Sequence, residues 1–213
     1  VKLNPAVVFS LSFLVIILIG SSLLMLPKMS VQEGSLDFID SLFMSTSATC
    51  VTGLATLNVA SELTIRGQFI LLILIKIGGI NIVAFGSFVA LISKFGLGVK
   101  QHEILEDFLN KDNLLSSKGM LFRVFIWSAI FEVSGALLLY VFNSVESAYE
   151  GSKLFSSFFH SISAFNNAGL SVYKDGLFTK EVEFNYIYQL ILSTLIFIGS
   201  LGFLALFDMF SIT

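Results

Sequence analysis

Two stretches decide how this chain is built: FMSTSATCVTGL at residues 43–54 and FHSISAFNNAGL at residues 159–170. Laid on one another at an offset of 116, they share Phe, Ser, Ser, Ala, Gly and Leu. With five residues inserted the register runs on, setting Gln68, Ile77 and Gly78 opposite Gln189, Ile198 and Gly199. A repeat of this length fixes the architecture ahead of any single motif. The chain reads as two copies of one unit, over 1–93 and 118–213, joined by a connection at 94–117.

Working outward, the residues around these stretches are made for lipid. Only 13% of the 213 residues are charged and 55% are hydrophobic, with a mean hydropathy of +0.90, against roughly 25% charged in a soluble domain. Four runs reach the length of about 20 apolar residues that a hydrocarbon core demands: Pro5–Leu26, Gly67–Ser93, Val124–Asn143 and Phe184–Phe207. The first is longer than the apolar region of a cleaved signal and runs into Leu26-Pro27-Lys28, so it reads as a retained helix. Cys50 is the lone cysteine and permits no internal disulfide. His102 and His160 stand apart, with no metal-ligand spacing around them. No basic run suits nucleic acid, and no phosphate-binding loop suggests an enzyme.

Between the long runs of each unit lies a short helix, at about Asp37–Thr49 and Ser152–Phe165, too brief to cross a bilayer and of a length that suits a re-entrant position. Each is followed by a loop ending in glycine. Two crossings per unit return the chain to its starting side, which makes the copies parallel rather than inverted. The expected fold is therefore an all-α membrane protein of two parallel helix, re-entrant loop, helix repeats. Five Lys/Arg fall between Lys94 and Arg123, which places that connection in the cytoplasm and opens the loops outward. Within it, Gln101–Asn110 could form a short amphipathic helix at the inner surface.

Irregular backbone at membrane depth is tolerated only where protein buries it or a water-filled cavity receives it. Two such loops in equivalent places imply a pathway. Thr49, Cys50, Val51, Thr52 and Gly53, and Phe165, Asn166, Asn167, Ala168 and Gly169, supply consecutive carbonyls ending in a residue free to take positive φ. A row of carbonyl dipoles can replace the hydration shell of a monovalent cation.

Ser47-Ala-Thr-Cys-Val-Thr-Gly-Leu54, Ile77-Gly78-Gly79 and the 159–170 stretch together resemble the Trk/Ktr/HKT superfamily of potassium transporters, in the pattern of the bacterial Ktr/Trk membrane subunit. The resemblance covers essentially the whole chain. It implies a potassium-channel-like pore of four such units, of which this chain holds the first two, so it reads as a fragment of a longer polypeptide. It further implies potassium at the carbonyls of the ten loop residues, with Gly53 and Gly169 as selectivity-filter glycines. No cofactor is expected beyond the transported ion, with sodium coupling open. The full subunit would be a multi-pass protein of a bacterial inner membrane, dimerise, and sit on a cytosolic nucleotide-binding regulatory subunit of the KtrA/TrkA kind. Two residues depart from the pattern: Lys76 stands where glutamine is favoured, and Asn81 stands in the last glycine slot of a Gly-Gly-x-Gly run.

Other readings of the residues remain beside this one. The loops could bind an organic solute or another cation in a secondary transporter, or the chain could be a non-conducting assembly partner. An intramembrane lysine needs a cavity or a partner, and Glu132, the only acid in the third run, is the expected partner of Lys76. Asn166 and Asn167 are expected to brace their loop, and His160 to be a buried hydrogen-bond partner rather than a pH sensor. Cys50 reads as a small residue in a tight loop. Gly78, Gly79, Gly199 and Gly202 are expected to allow close helix approach. The 23 phenylalanines read as core and lipid-facing filling.

Overall fold

A computed structural model of the protein describes residues 5–31, 34–92, 115–143 and 152–201. Within them the chain is helices and loops, with one isolated bridge between Ser30 and Leu63. The first unit runs α1 (Pro5–Leu24), α2 (Phe38–Thr49), the single turn α3 (Val59–Glu62) and α4 (Ile65–Ile92). The second runs α5 (Leu115–Phe142), α6 (Lys153–Phe165), a 3-10 turn at Gly176–Phe178, the single turn α7 (Lys180–Glu183) and α8 (Tyr186–Ser200). The all-α expectation is met among the described residues. The short helices fall where the sequence puts them, with Asp37 and Ser152 as their N-caps. The end of the fourth apolar run and the stretch Gln101–Asn110 lie outside the described residues. α5 begins at Leu115, ahead of the boundary drawn at 118.

Among the described residues one helical stretch, Val124–Phe142, is by itself long and apolar enough to cross a membrane, while Phe9–Leu24 and Tyr186–Ser200 are shorter apolar helices. α4 has 28 residues, about 42 Å of helix. Much of the surface is apolar. Along α5 the exposed residues include Ile126, Ile130, Val133, Leu137 and Val141, and along α1 they include Leu11, Leu14, Val15 and Leu18, which recur at the three- and four-residue spacing of a helix face. Val141 and Leu190 are each 68% exposed, whereas Gln68, Glu132, Ser157, His160 and Ser161 are all under 5%. Large contiguous apolar surface of this kind calls for an apolar environment, and the sequestered polar groups call for partners inside.

Those partners repeat from unit to unit. Ser45 on α2 donates to the Ile17 carbonyl of α1 at 2.8 Å, and Ser161 on α6 donates to the Glu132 carbonyl of α5 at 2.7 Å. The amide of Gln68 donates to the carbonyls of Val59 and Leu63, and that of Gln189 to the carbonyls of Val182 and Glu183. In both units a glutamine at the fourth residue of the long helix thus gathers the turn before it, and the register read from the sequence reappears as matching hydrogen bonds. Each short helix packs between the two long helices of its own unit, and α4 also packs on α5 and α6 of the other. The apolar core follows the same division. One cluster centres on Leu24, Met44, Leu71 and Ile75 and takes in Phe159, Leu170 and Val172 of the second unit; another centres on Leu139, Phe165, Tyr188 and Leu192.

The tightest packing is also duplicated. A Cβ placed on Gly78 would run into the carbonyl of Thr49, and one placed on Gly199 would run into the carbonyl of Phe165. The last residue of each short helix therefore rests on bare glycine backbone of the following long helix, as expected for Gly78 and Gly199. Overpacking a site without room costs about 1–3 kcal/mol. Gly78→Val and Gly199→Val should each lower the amount of folded protein recovered from membranes several-fold, measured as the monodisperse fraction in detergent by size-exclusion chromatography. Parental recovery of both variants would mean that the long helices can move away without loss.

Candidate functional site: the paired glycine loops

The two loops follow one backbone course. α2 ends on Cys50 at φ −85°, ψ 0°, and α6 ends on Asn166 at φ −83°, ψ 2°. The next residue turns left-handed in each, Val51 at φ 57° and Asn167 at φ 59°, and the glycines follow at φ 76° for Gly53 and φ 70° for Gly169. The hydrogen bonds agree. Thr52 N–H donates to the Ser47 carbonyl at 3.0 Å and Val51 N–H to that of Ala48 at 3.4 Å; Ala168 N–H donates to Ser163 at 2.7 Å and Asn167 N–H to Ala164 at 3.0 Å. These are the paired bonds of a Schellman motif, which satisfies the last carbonyls of a helix through a left-handed residue just past its end.

This explains what the glycines do and gives Val51 and Asn167 a helix-ending role that the sequence reading did not assign. The residue that stops each short helix is Val51 or Asn167, and glycine supplies a second left-handed turn two residues later. Asparagine is a common left-handed cap, so Asn167 carried a signal. Valine carried none, because a β-branched residue at positive φ is a true outlier. Strain of this sort costs roughly 1–2 kcal/mol and persists where the surrounding structure imposes it.

Each of the ten candidate residues has a definite place. Thr49 is fully buried at the end of α2 with its carbonyl on Gly78, and its hydroxyl has no hydrogen-bond partner among the described residues. Cys50 is half-buried as the C-cap. Thr52 is exposed and donates to the Ser47 hydroxyl at 3.1 Å. Phe165 is buried with its carbonyl on Gly199 and its ring stacked on Phe131 at 5.8 Å. Ala168 is buried, while Asn167 and Gly169 are exposed. The two loops meet: a Cβ on Gly53 would lie 2.6 Å from the Ala168 carbonyl and 3.4 Å from the Gly169 Cα, and one on Gly169 would lie 3.6 Å from the Gly53 Cα. Residues 116 apart in sequence thereby share one wall.

The expected bracing is present in the second loop. Asn166 donates from Nδ2 to Glu132 Oε1 and to the Ile162 carbonyl, both at 2.9 Å, and Asn167 accepts from Ser200 Oγ at 3.1 Å. Ser163 Oγ donates to the Leu170 carbonyl at 2.7 Å, closing the loop from behind. His160 is fully enclosed, as expected of a structural histidine. Its Nδ1 donates to the Ser156 carbonyl at 2.8 Å, and Nε2 faces the Ser171 hydroxyl at 2.8 Å with Tyr173 stacked alongside at 4.3 Å.

Lys76 and Glu132 pair as the sequence predicts. The ammonium lies 2.7 Å from both carboxylate oxygens and 2.7 Å from Ser128 Oγ, and 5.5 Å from the centre of the Phe125 ring. The lysine side chain is 18% exposed and the glutamate side chain 6%. Lys76 is therefore a tethered, neutralised charge.

A chain that is helical among the described residues, with buried polar side chains, an apolar outer surface and a duplicated helix-terminating glycine loop, has the make-up of a membrane protein. The chain belongs to the TrkH family, described as cation transport protein, whose match spans residues 5–213; this is a family of transporters and not of enzymes. It is 35% identical over 208 residues, 98% of its length, to the Ktr system potassium uptake protein B of Bacillus subtilis. It is 33% identical over 210 residues, 99% of its length, to the potassium/sodium uptake protein NtpJ of Enterococcus hirae. A further relative is the Ktr system potassium uptake protein B of Vibrio alginolyticus, 28% identical over 93% of the chain and 42% of that protein. The chain spans about half the length of the curated relatives it matches, 46% of the first two.

Two outcomes follow. Breaking a buried ion pair from one side costs about 3–5 kcal/mol, so Lys76→Glu and Glu132→Lys should each lose most membrane-inserted protein on immunoblots, and the double exchange should restore it; failure of the exchange to restore would mean the pairing is incidental. Val51→Asn, which copies the second loop, should raise the melting temperature of the detergent-solubilised protein by relieving about 1 kcal/mol, whereas Asn167→Val should lower it.

Proposed function

We propose that the two glycine loops are neighbouring parts of a carbonyl-lined selectivity filter, and that the protein to which this chain corresponds takes up potassium across a bacterial inner membrane. The observation that carries this reading is the meeting of Gly53 and Gly169 at the ends of two short helices with one backbone course. Both loops would re-enter the membrane from outside, each between the long helices of its unit. The C-terminal end of a helix holds about half a negative charge, so two short helices ending at one wall favour a cation there. Thr49 and Phe165 seat their carbonyls on Gly78 and Gly199, which leaves the carbonyls at 50–53 and 166–169 as the stronger candidates for ion contact.

The loops offer carbonyls, hydroxyls and amides and carry no charged side chain, which suits a partly dehydrated monovalent cation better than an ionised organic solute. Sodium is the second reading, favoured by the potassium/sodium name of the Enterococcus relative. In this proposal the whole protein completes the ring with two further units, dimerises, and is controlled by a cytosolic nucleotide-binding subunit reached through the 94–117 connection.

The test is growth of a potassium-uptake-deficient bacterium in low potassium when supplied with the full-length gene. Rescue is expected; absence of rescue with the protein present in the membrane would refute potassium uptake. Gly53→Ser adds a side chain where φ is 76° and the Ala168 carbonyl leaves no room. It should lower the ratio of potassium to sodium uptake about tenfold, equivalent to about 1.4 kcal/mol, measured with the two ions in parallel flux assays.

A further inference from the structure

The repeat makes an internal comparison possible at the back of each loop. Ser45 reaches the carbonyl of Ile17 and Ser161 reaches that of Glu132, so Ile17 and Glu132 are equivalent positions on the two outer helices. The loop residues closing the two short helices are equally equivalent, Cys50 in the first unit and Asn166 in the second. An aliphatic side chain behind a small thiol in one copy has thus become a carboxylate behind an amide in the other. In the second copy the two are bonded, Asn166 Nδ2 to Glu132 Oε1 at 2.9 Å.

The carboxylate is held from the other unit. Lys76 projects from α4 and engages both oxygens of Glu132, and its ammonium also donates to Ser128 Oγ on α5. One turn further along α4, Gly79 leaves the space that the Asn166 side chain fills, since a Cβ there would collide with the Asn166 amide. Lysine, glutamate and asparagine therefore form a continuous strut from the long helix of the first unit, through the outer helix of the second, to the second loop.

We propose that Lys76 and Glu132 are positioning residues for cation discrimination: Glu132 fixes the second loop through Asn166, and Lys76 pins that carboxylate from the neighbouring unit, so the spacing between the loops is set across the seam. The proposal rests on the filter reading above. A hydrogen bond in a water-poor interior is stronger than the same bond in water, which suits this one to holding a loop against the pull of differently sized ions. Neither residue contacts the ion.

The experiment uses the full-length protein and measures potassium and sodium uptake in the deficient bacterium, with membrane levels determined in parallel. A buried ion pair can often be replaced by apolar residues of similar volume without loss of stability, so Lys76→Met with Glu132→Met is expected to reach the membrane at the parental level. It releases Asn166, and the potassium to sodium ratio should fall about tenfold, equivalent to about 1.4 kcal/mol. Lys76→Gln with Glu132→Gln keeps a donor and an acceptor in place without charge and should retain the parental ratio. An unchanged ratio in the Met pair overturns the proposal, as does equal loss of ratio in both pairs. Should the Met pair fail to accumulate, Asn166→Ala cuts the strut from the loop side with the ion pair intact, and an unchanged ratio there overturns it too. No potassium uptake by the unaltered protein overturns both this proposal and the filter reading; selective uptake by it with an unchanged ratio in the Met pair overturns this proposal alone.

Discussion

In each unit a peptide carbonyl rests against a glycine of the following long helix, Thr49 on Gly78 and Phe165 on Gly199. The importance of this contact comes from the surroundings. A helix whose end is buried leaves its last carbonyls without solvent, and each unpaired group costs several kcal/mol; Thr49 and Phe165 are both buried. The Schellman turn satisfies two of them, and the glycine contact lets the long helix cover the end. Loop conformation and the meeting of Gly53 with Gly169 both follow from how these ends are sealed.

The same economy governs the side chains. Among the described residues the interior holds serines, a glutamine, a histidine and an ion pair beside its apolar core, while many leucines, isoleucines and valines face outward. Association of helices in lipid gains little from the hydrophobic effect, so packing and hydrogen bonds hold the units together. Ser45, Ser161, Gln68 and Gln189 supply those bonds at matching places. Lys76 and Glu132 are the exception, since they have no counterpart pair within a unit and join the two units.

Much of this was legible in the sequence because duplication amplifies weak signals. A single Thr-Cys-Val-Thr-Gly run says little, but the same pattern at a fixed offset located both loops, both short helices and the equivalence of Gln68 with Gln189. The pairing of Lys76 with Glu132 was legible because intramembrane charges are few and must find partners. The left-handed turn at Val51 was not, since the residue itself argues against it and only its alignment with Asn167 points that way. Nor was the bond from Glu132 to Asn166, which depends on two helices brought together by packing. The orientation inferred from the basic connection at 94–117 concerns residues beyond those the structure describes.

The left-handed residue just past each short helix has one more consequence. Duplication gave the two loops the same path, yet one copy follows it with an asparagine suited to the turn and the other with a valine opposed to it. One loop is braced by a carboxylate behind it, and the other has an aliphatic residue in that place. A chain built from equal parts therefore presents two adjoining loops held by different means, the second by side-chain hydrogen bonds from Glu132 and Ser200 and the first around a valine kept in a left-handed turn. The symmetry of the backbone is thus a poor guide to how each half is secured.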